Sequence, residues 1–389
     1  MIRNALRLAI AAPLVVVAVT PACAVDQVID SERGPLHVST FADGLNHPWG
    51  LTFLPDGTML VTEREGSLRL VASDGSLSAP IEGVPEVDAR GQGGLLDVAL
   101  HPDFAENGWV YLSYAEAGEG GNGTAVARGR LEHEGTPRLT DVEVIFRQQP
   151  KLRGTSHFGS RLVFDNDGYL WVTLGERSDR AYRDMAQDLN THLGKVVRLH
   201  DDGSVPQDNP FVGRDDARPE IWSYGHRNPQ GMALHPETGE VWIHEHGPRG
   251  GDEINIPRPG ENFGWPIATY GTEYSGATIF EGDSFPPEFT SPLYHWTPSI
   301  APSGMAFYTG DAIPEWRGNM LVGALAHRML VRLELDGTAV THEEHLLEDL
   351  GERIRDVRVG PDGAVYLLTD SSSGEILRLA PTEGRSAGE

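Results

Sequence analysis

The stretch WGLTFLPDGTMLVTER (residues 49–64) places two short apolar runs on either side of an Asp-Gly pair. Asp-Gly between β-branched and aromatic residues is a strong β-hairpin signal, because both residues accept the positive φ angles of a tight turn. The pattern, with Asp-Gly or an equivalent turn, returns at residues 95–115, 160–176, 229–247, 302–325 and 354–370. A further apolar strand follows most copies, so each repeat predicts a small antiparallel sheet.

Six such repeats predict an all-β fold, a six-bladed β-propeller. A single blade leaves two apolar faces exposed, and a ring of blades buries them. Residues 35–41 form a lone predicted strand, which we expect to pair with the last blade and close the ring. A pair of β-sandwiches is the alternative, but it does not explain six similar repeats. We therefore assign residues 35–381 to one propeller domain and residues 382–389 to a flexible tail.

The composition excludes several classes of function. The 389 residues include 46 glycines and 27 prolines, which disfavours a helical bundle. The formal net charge of −26 argues against nucleic acid or an anionic membrane as the main partner, since both attract basic surfaces. The hydrophobic content of 39% supports a large core, so the acidity does not indicate disorder.

Residues 1–24 have the three parts of a secretory signal peptide. Two arginines precede a short apolar run, and Ala22-Cys23-Ala24 is a small-residue cleavage site. The run is too short for a membrane span. Cleavage after Ala24 removes the only cysteine, whereas a lipoprotein anchor on Cys23 is the alternative. Both interpretations predict a periplasmic or secreted protein without disulfides.

Polar residues concentrate at or just before the starts of the hairpins, positions that converge on one axial face of a propeller. Arginine and asparagine offer donors for carboxylates and carbonyls, and histidine has the pKa range of a general base. The residues are Gln92, His157, Arg227, Asn228, Arg353 and Arg355. Together they predict a compact anionic ligand beside a base.

Arg353 and Arg355 lie on the same face of a predicted strand, because side chains alternate along a strand. Two neighbouring guanidiniums repel each other unless an anion or an acidic residue lies between them. Asp356 points to the other face. A polyanionic ligand is therefore one explanation of the pair, and a surface stripe is the other.

The loop after the fourth hairpin offers metal ligands. Asp252, Glu253 and the carbonyls of the glycine-rich loop are hard oxygen ligands, which suit Ca²⁺. His244 and His246 share one strand face and would suit zinc, although no third His or Cys accompanies them. A solvated acidic loop is the structural alternative.

These residues stand in strings that resemble the soluble quinoprotein sugar dehydrogenases, the glucose/sorbosone dehydrogenase family, whose periplasmic aldose sugar dehydrogenases use pyrroloquinoline quinone (PQQ). The strings are GQGGLLD (91–97), HFGSRL (157–162), GHRNPQG (225–231), EHGPRGGDEIN (245–255), NFGWP (262–266) and RIRD (353–356). The resemblance covers residues 36–381. It implies a six-bladed propeller that oxidises aldoses at C1 to the lactone, passes electrons to an external quinone or cytochrome, and forms a homodimer.

The resemblance also implies roles for single residues. His157 matches the general base that takes the proton of the anomeric hydroxyl while hydride passes to PQQ. The residues that match contacts to PQQ or substrate are Gln92, Arg227, Asn228, Tyr274, Arg353 and Arg355. The carbonyls of Gly247 and Pro248 match ligands of a Ca²⁺ that bridges to PQQ, and Glu253 and Phe263 match a second, structural Ca²⁺ site.

Two positions depart from the best-known glucose dehydrogenase of this family. Ser156 stands where that enzyme has an aspartate before its catalytic histidine, so its sugar preference does not carry over. Ala326 stands in place of a lysine that binds the cofactor, and His327 or Arg328 are the candidates to compensate.

Two other functions are compatible with the sequence. A calcium-dependent lactone hydrolase would place acidic or amide side chains around one axial cation, whereas this axial set is rich in arginine. A non-enzymatic propeller that binds sugar or a protein would need neither His157 nor the arginine pair. The chain contains no C-x-x-C-H haem motif, so electrons must leave to a separate partner.

Overall fold

The computed structural model describes residues 24–133, 135–280, 282 and 285–382. These residues form six antiparallel sheets arranged as a β-propeller, which confirms the predicted all-β, six-bladed fold. The proposed signal peptide lies outside the described residues except for Ala24, and so does the proposed tail except for Thr382.

The chain begins in the last blade and then builds the ring in sequence order. The first strands are β1 (Asp26–Ile29) and β2 (Leu36–Leu45). Blade 1 comprises β3 (Pro48–Phe53), β4 (Met59–Glu63) and β5 (Ser67–Val71). Blade 2 comprises β6 (Leu95–Leu100), β7 (Trp109–Gly118), β8 (Gly121–Glu132) and β9 (Arg138–Arg147). Blade 3 comprises β10 (Leu162–Phe164), β11 (Leu170–Leu174), β12 (Lys195–Leu199) and β13 (Ile221–Tyr224).

The second half of the ring repeats this arrangement. Blade 4 comprises β14 (Pro229–Leu234), β15 (Val241–Glu245), β16 (Asp252–Asn255) and β17 (Tyr294–Trp296). Blade 5 comprises β18 (Pro302–Phe307), β19 (Met320–Ala324), β20 (Met329–Asp336) and β21 (Ala339–Leu346). Blade 6 comprises β22 (Ile354–Val359), β23 (Val365–Thr369) and β24 (Gly374–Pro381), joined by β2 and β1.

Blade 6 closes the ring, because β2 pairs antiparallel with β24 from Leu36↔Pro381 to Leu45↔Gly374. The strand expected ahead of the first repeat therefore joins the last blade, and it extends further than residues 35–41. With one cysteine in the chain, closure relies on backbone hydrogen bonds rather than on an internal disulfide.

Apolar clusters fill the six interfaces between neighbouring blades. Leu60 and Val98, for example, pack between blades 1 and 2, and Trp242 and Val331 between blades 4 and 5. The other four interfaces have equivalent clusters. Each fully buried side chain of this kind contributes about 1.5–3 kcal/mol. Two neighbours therefore cover the two apolar faces of every blade, which is the physical reason for the ring.

Helices are short in the described part of the chain. The helix α1 covers Phe104–Asn107, and 3₁₀ turns cover Arg183–Ala186, Pro314–Trp316 and Glu348–Leu350. Within the described residues, no helix combines the length and hydropathy needed to cross a membrane.

The first strand of each blade lies nearest the axis, where it contacts the first strands of the neighbouring blades. These six strands all begin at the same end of the propeller, and we call this end the "site face". In an antiparallel hairpin the second strand ends opposite the start of the first, as in the pairs Pro48↔Glu63 and Pro229↔Glu245. The site face therefore collects residues that precede the first strands and residues that end the second strands.

Candidate active site

A cavity of about 130 Å³ opens on the site face at the axis. Its walls contain four of the residues expected to bind a ligand: Gln92, Asn228, Arg353 and Arg355. A wider funnel of about 1050 Å³ opens at the opposite end of the axis, where the innermost strands finish. The chemistry assigns the site to the smaller cavity, because Arg353 and Arg355 line it. His157, the candidate base, is not in its wall but is hydrogen-bonded through its backbone to the wall residue Gln92.

The cavity lining combines apolar and charged side chains. Trp49, Leu96 and Phe158 pack together in one buried cluster and line the cavity. Three arginines around this site have a buried Nε atom without a hydrogen-bond partner among the described residues: Arg64, Arg227 and Arg355. A buried donor without an acceptor costs about 1–3 kcal/mol. These donors fit a flat anionic ligand that brings its own acceptors, as a planar tricarboxylate such as PQQ would.

His157 is held from two sides and is only 5% exposed. Its backbone N–H donates to Gln92 Oε1 over 2.8 Å, and its ring Nδ1 lies 2.6 Å from Glu176 Oε1. Burial, together with the charges of Arg227 and Arg177, lowers the pKa of His157 well below its ordinary value. The imidazole is therefore neutral and able to accept a proton.

Glu176 fixes which ring nitrogen accepts that proton. Its Oε1 also accepts the backbone N–H of Ser178 over 3.0 Å, so this oxygen acts as an acceptor and Nδ1 of His157 carries the hydrogen. The ring Nε2 then bears the lone pair, and no described residue hydrogen-bonds to it. Burial raises the pKa of Glu176 to about 7, and its Oε2 is buried without a partner.

Arg177 holds the loop that carries His157. Its guanidinium donates to the carbonyls of Gly154 and Ser156 and lies 4.0 Å from the centroid of the Phe158 ring. His157 itself has a φ of +52°, which side chains rarely adopt. The fixed loop offsets this local strain and presents the ring in one orientation.

Arg227 reaches towards the glycine-rich loop of blade 4. Its Nη1 donates to the Gly247 carbonyl over 2.6 Å and to the His246 carbonyl over 3.2 Å. Its Nη2 donates to the hydroxyl of Tyr274 over 3.3 Å, and that tyrosine is 70% exposed. Tyr274 therefore lies at the rim beside Arg227, and the Gly247 carbonyl already has one donor.

The next residue, Asn228, is held by the loop of blade 3: its Oδ1 accepts the backbone N–H of Gly159.

The acidic residue expected between Arg353 and Arg355 is Asp370. Its Oδ2 accepts from Arg353 Nη2 over 3.0 Å and from Arg355 Nη2 over 2.9 Å. Burial opposes ionisation, but the two arginines hold the pKa of Asp370 below its ordinary range. The pair shares one negative charge, so it retains an excess positive charge for a ligand.

A second, smaller pocket lies beside Arg227 and contains Gly247, Glu253 and Phe263, three of the four expected calcium ligands. Pro248, the fourth, lies next to Gly247 but not in this wall. Glu245 also lines the pocket. Burial and the charge of Glu245 raise the pKa of Glu253 well above its ordinary value.

Asn255 lies beside the two glutamates of this pocket, although it is not in the pocket wall. Its Nδ2 donates to Glu245 Oε1 over 3.3 Å and to Glu253 Oε2 over 3.4 Å, and its buried Oδ1 has no partner. Within the described residues, no three His, Cys, Asp or Glu side chains form a metal cluster. A cation here would draw on two carboxylates, an amide oxygen and carbonyls, which is the mixture that Ca²⁺ accepts.

The two histidines of the same loop do not form a zinc pair. The His244 ring packs against Gly231, where an added Cβ would lie 2.1 Å from Nε2, and neither of its ring nitrogens has a partner in the part of the chain that the structure describes. His246 Nε2 instead lies 2.6 Å from the Pro302 carbonyl. Among the described residues no third metal-ligating side chain joins these two rings, so the zinc interpretation has no support.

The expectation that His327 or Arg328 compensates for the lysine missing at Ala326 is wrong. Arg328 Nη1 donates to the Gly351 carbonyl over 2.6 Å, and His327 lines a different surface cavity. Neither lines the axial cavity. Ala326 itself only donates its backbone N–H to Ile300.

Fold and site together define a six-bladed propeller with an arginine-lined axial cavity and a buried histidine, His157, hydrogen-bonded to a residue of the cavity wall. The family model described as Glucose / Sorbosone dehydrogenase matches residues 45–378. The chain belongs to this family, which confirms the resemblance seen in the sequence, and it is a sugar-acting oxidoreductase.

Named relatives agree with this assignment. Aldose sugar dehydrogenase YliI of Escherichia coli (strain K12) is 51% identical over 349 residues, covering 89% of this chain and 93% of the relative. The apo-form crystal structure of the soluble aldose sugar dehydrogenase from Escherichia coli superposes with a TM-score of 0.85 at 50% identity, covering 89% of this chain and 99% of that one. The PQQ-bound aldose sugar dehydrogenase from Streptomyces coelicolor superposes with a TM-score of 0.74 at 29% identity, covering 92% and 99%.

Proposed function

We propose that this protein oxidises aldose sugars at C1 to the lactone, using PQQ and Ca²⁺, with His157 as the general base. The observation that carries the proposal is the neutral His157, held by Glu176 beside arginines whose buried donors lack partners. PQQ would supply the hydride acceptor for C1, and Ca²⁺ would supply Lewis-acid assistance. The PQQ-bound relative supports this choice of cofactor.

The protein's own part of the reaction is a proton transfer and a set of electrostatic contacts. Nε2 of His157 takes the proton of the anomeric hydroxyl as the C1–O bond becomes the carbonyl of the lactone. The Glu176 carboxylate stabilises the imidazolium that forms. Arg227, Arg353 and Arg355 are the residues that would hold an anionic cofactor, and their charges would stabilise negative charge that develops in the reaction.

Two further parts of the proposal concern the setting of the reaction. The signal-peptide pattern supports a periplasmic or secreted location, and the lack of a haem motif supports an external quinone or cytochrome as electron acceptor. A homodimer is proposed from the family resemblance. The lactone hydrolase alternative has less support, because the axial cavity is lined by arginines and the acidic pair Glu245 and Glu253 lies in the neighbouring pocket.

The test is reconstitution. The mature protein is purified without cofactor, PQQ and Ca²⁺ are added, and dye reduction is followed with a panel of aldoses. Activity that requires both additions is the expected result. If PQQ neither binds nor supports reduction, the dehydrogenase proposal is wrong, and hydrolase and sugar-binding assays follow.

The proposed base predicts a pH dependence. Because burial raises the pKa of Glu176 to about 7, its carboxyl group is protonated below that pH and ionised above it. Only the ionised form stabilises the imidazolium of His157, so turnover at saturating aldose is expected to rise through pH 7. A turnover that stays constant from pH 5.5 to 8.5, measured on holoenzyme whose PQQ occupancy is checked by absorbance, would contradict the assignment.

The calcium pocket predicts a change in stability. Ca²⁺ at about 100 times its dissociation constant is expected to stabilise the apoprotein by about 2.7 kcal/mol, because the folded state alone contains the pocket. Glu253→Gln is expected to abolish this response. It should also stabilise the calcium-free protein relative to calcium-free wild type, since glutamine has no carboxyl group whose ionisation burial and Glu245 oppose. Thermal melts with and without chelator measure both effects.

The matched control for this variant is Glu237→Gln, which makes the same change at an exposed residue on the opposite end of the propeller. It should respond to Ca²⁺ as wild type does. An undiminished calcium response in Glu253→Gln would remove Glu253 from the site.

A further inference from the structure

We infer that Arg64 is a further binding residue for the anionic cofactor and supplies the positive charge that position Ala326 lacks. The inference rests on the proposed function, since it concerns the same polycarboxylate ligand. Arg64 directly follows β4 and lines the axial cavity together with Gln92, Arg353 and Arg355. No feature of the sequence singled it out.

Arg64 has no acceptor for its guanidinium among the described residues. Its Nε is buried without a partner, and neither of its Nη atoms makes a hydrogen bond or ion pair. The adjacent Glu63 is already engaged, because Oε1 accepts the backbone N–H of Asn46 over 2.7 Å and Oε2 accepts Arg69 Nε over 2.9 Å. A guanidinium placed in a cavity wall and left unpaired fits an anion supplied by a ligand.

The balance of charge in the cavity leads to the same conclusion. Arg353 and Arg355 share the carboxylate of Asp370, so together they offer one excess positive charge. Arg64 offers another positive charge, which no described carboxylate neutralises. A tricarboxylate needs several cationic contacts. Of the three arginines in the described cavity wall, Arg64 is the one without an ion pair, and it can supply the charge that a lysine at Ala326 would have given.

The backbone around Arg64 is fixed between two blades. Its N–H donates to the His47 carbonyl over 3.1 Å, and its carbonyl accepts the N–H of Leu95 over 3.0 Å. Gly94 makes this approach possible: its φ is +126°, and an added Cβ would lie 1.8 Å from the Arg64 carbonyl oxygen. The side chain therefore starts from a fixed position, which reduces the entropy lost when a ligand binds.

The test is titration of calcium-loaded apoprotein with PQQ, followed by tryptophan fluorescence or calorimetry and without any sugar. Arg64→Gln is expected to raise the dissociation constant roughly 10- to 100-fold, the effect of losing a charge-assisted hydrogen bond. Arg64→Lys keeps the charge and should recover most of the affinity. The melting temperature of the apoprotein should change little in both variants, because Arg64 has no partner in the unliganded protein.

Arg153→Gln is the matched control. Arg153 is exposed on the loop that leads to blade 3 at the site face, does not line the cavity, and has no ion pair among the described residues. The Arg153→Gln variant loses the same charge as Arg64→Gln and should bind PQQ as wild type does. Equal affinity in Arg64→Gln and wild type would overturn this inference alone, and so would an equal loss in Arg153→Gln. Failure of the wild type to bind PQQ would overturn the proposed function as well.

Discussion

His157→Ala is expected to reduce the turnover of reconstituted holoenzyme by roughly 10²–10⁴-fold, the contribution of a general base. The ring makes no contact that would hold the cofactor's carboxylates, so the dissociation constant for PQQ should remain near that of wild type. Stopped-flow reduction of bound PQQ by an aldose measures the affected step directly. Added imidazole should restore part of the rate, because the missing group is a proton acceptor.

His192→Ala provides the matched control for this result. His192 is also a buried histidine beside a glutamate, with Nε2 2.5 Å from Glu220 Oε1. Its partners Gln149 and Glu220 do not line the axial cavity, whereas Gln92, which accepts from the His157 backbone, does. Its loss should lower the melting temperature and leave turnover per folded molecule unchanged. Normal turnover in His157→Ala would exclude His157 as the base and direct attention to His246, the histidine in the cavity wall.

The fold was predictable because its signals are local. Turn residues between two apolar runs identify a hairpin without knowledge of the rest of the chain, and six hairpins identify the ring. The residues that precede the hairpins were also predictable as a group, since the antiparallel pairing brings all of them to one face. Gln92, Asn228, Arg353 and Arg355 line one cavity for this reason.

The acidic partners were missed because their roles depend on pairing across the hairpin. Glu176, Glu245 and Asp370 each end or follow the second strand of a blade, and each holds a residue that precedes or opens the first strand of the same blade. A search for an acid at the end of the second strand would have found all three. The acids are therefore visible in the sequence, but their roles could be recognised only once the pairing of the two strands in each hairpin was known.

The wrong expectation for Arg328 has a different cause. Arg328 lies two residues from the lysine position in sequence, but its φ of +54° belongs to a tight turn, and its guanidinium donates to Gly351 instead. Arg64 lies far away in sequence and comes from another blade. Proximity along the chain is a poor guide to charge compensation in a cavity to which all blades contribute.

Glu176→Gln is expected to reduce turnover by roughly 10- to 1,000-fold, because an adjacent carboxylate raises the basicity of an imidazole by about 1–3 pKa units. The amide oxygen of glutamine can take the place of Oε1 and accept both from Ser178 and from Nδ1 of His157. The ring then keeps its orientation and loses only the negative charge. Since glutamine does not titrate, the rise of turnover through pH 7 should disappear along with the lost rate.

A double-mutant cycle separates a coupled pair from two independent residues. If Glu176 acts through His157, then His157→Ala with Glu176→Gln should be no slower than His157→Ala alone. Glu220→Gln, which alters the glutamate partner of His192, should leave turnover and its pH dependence unchanged. Additive losses in the double variant would show that Glu176 acts on the reaction by another route. The proton transfer would then have to be assigned to a base other than this pair.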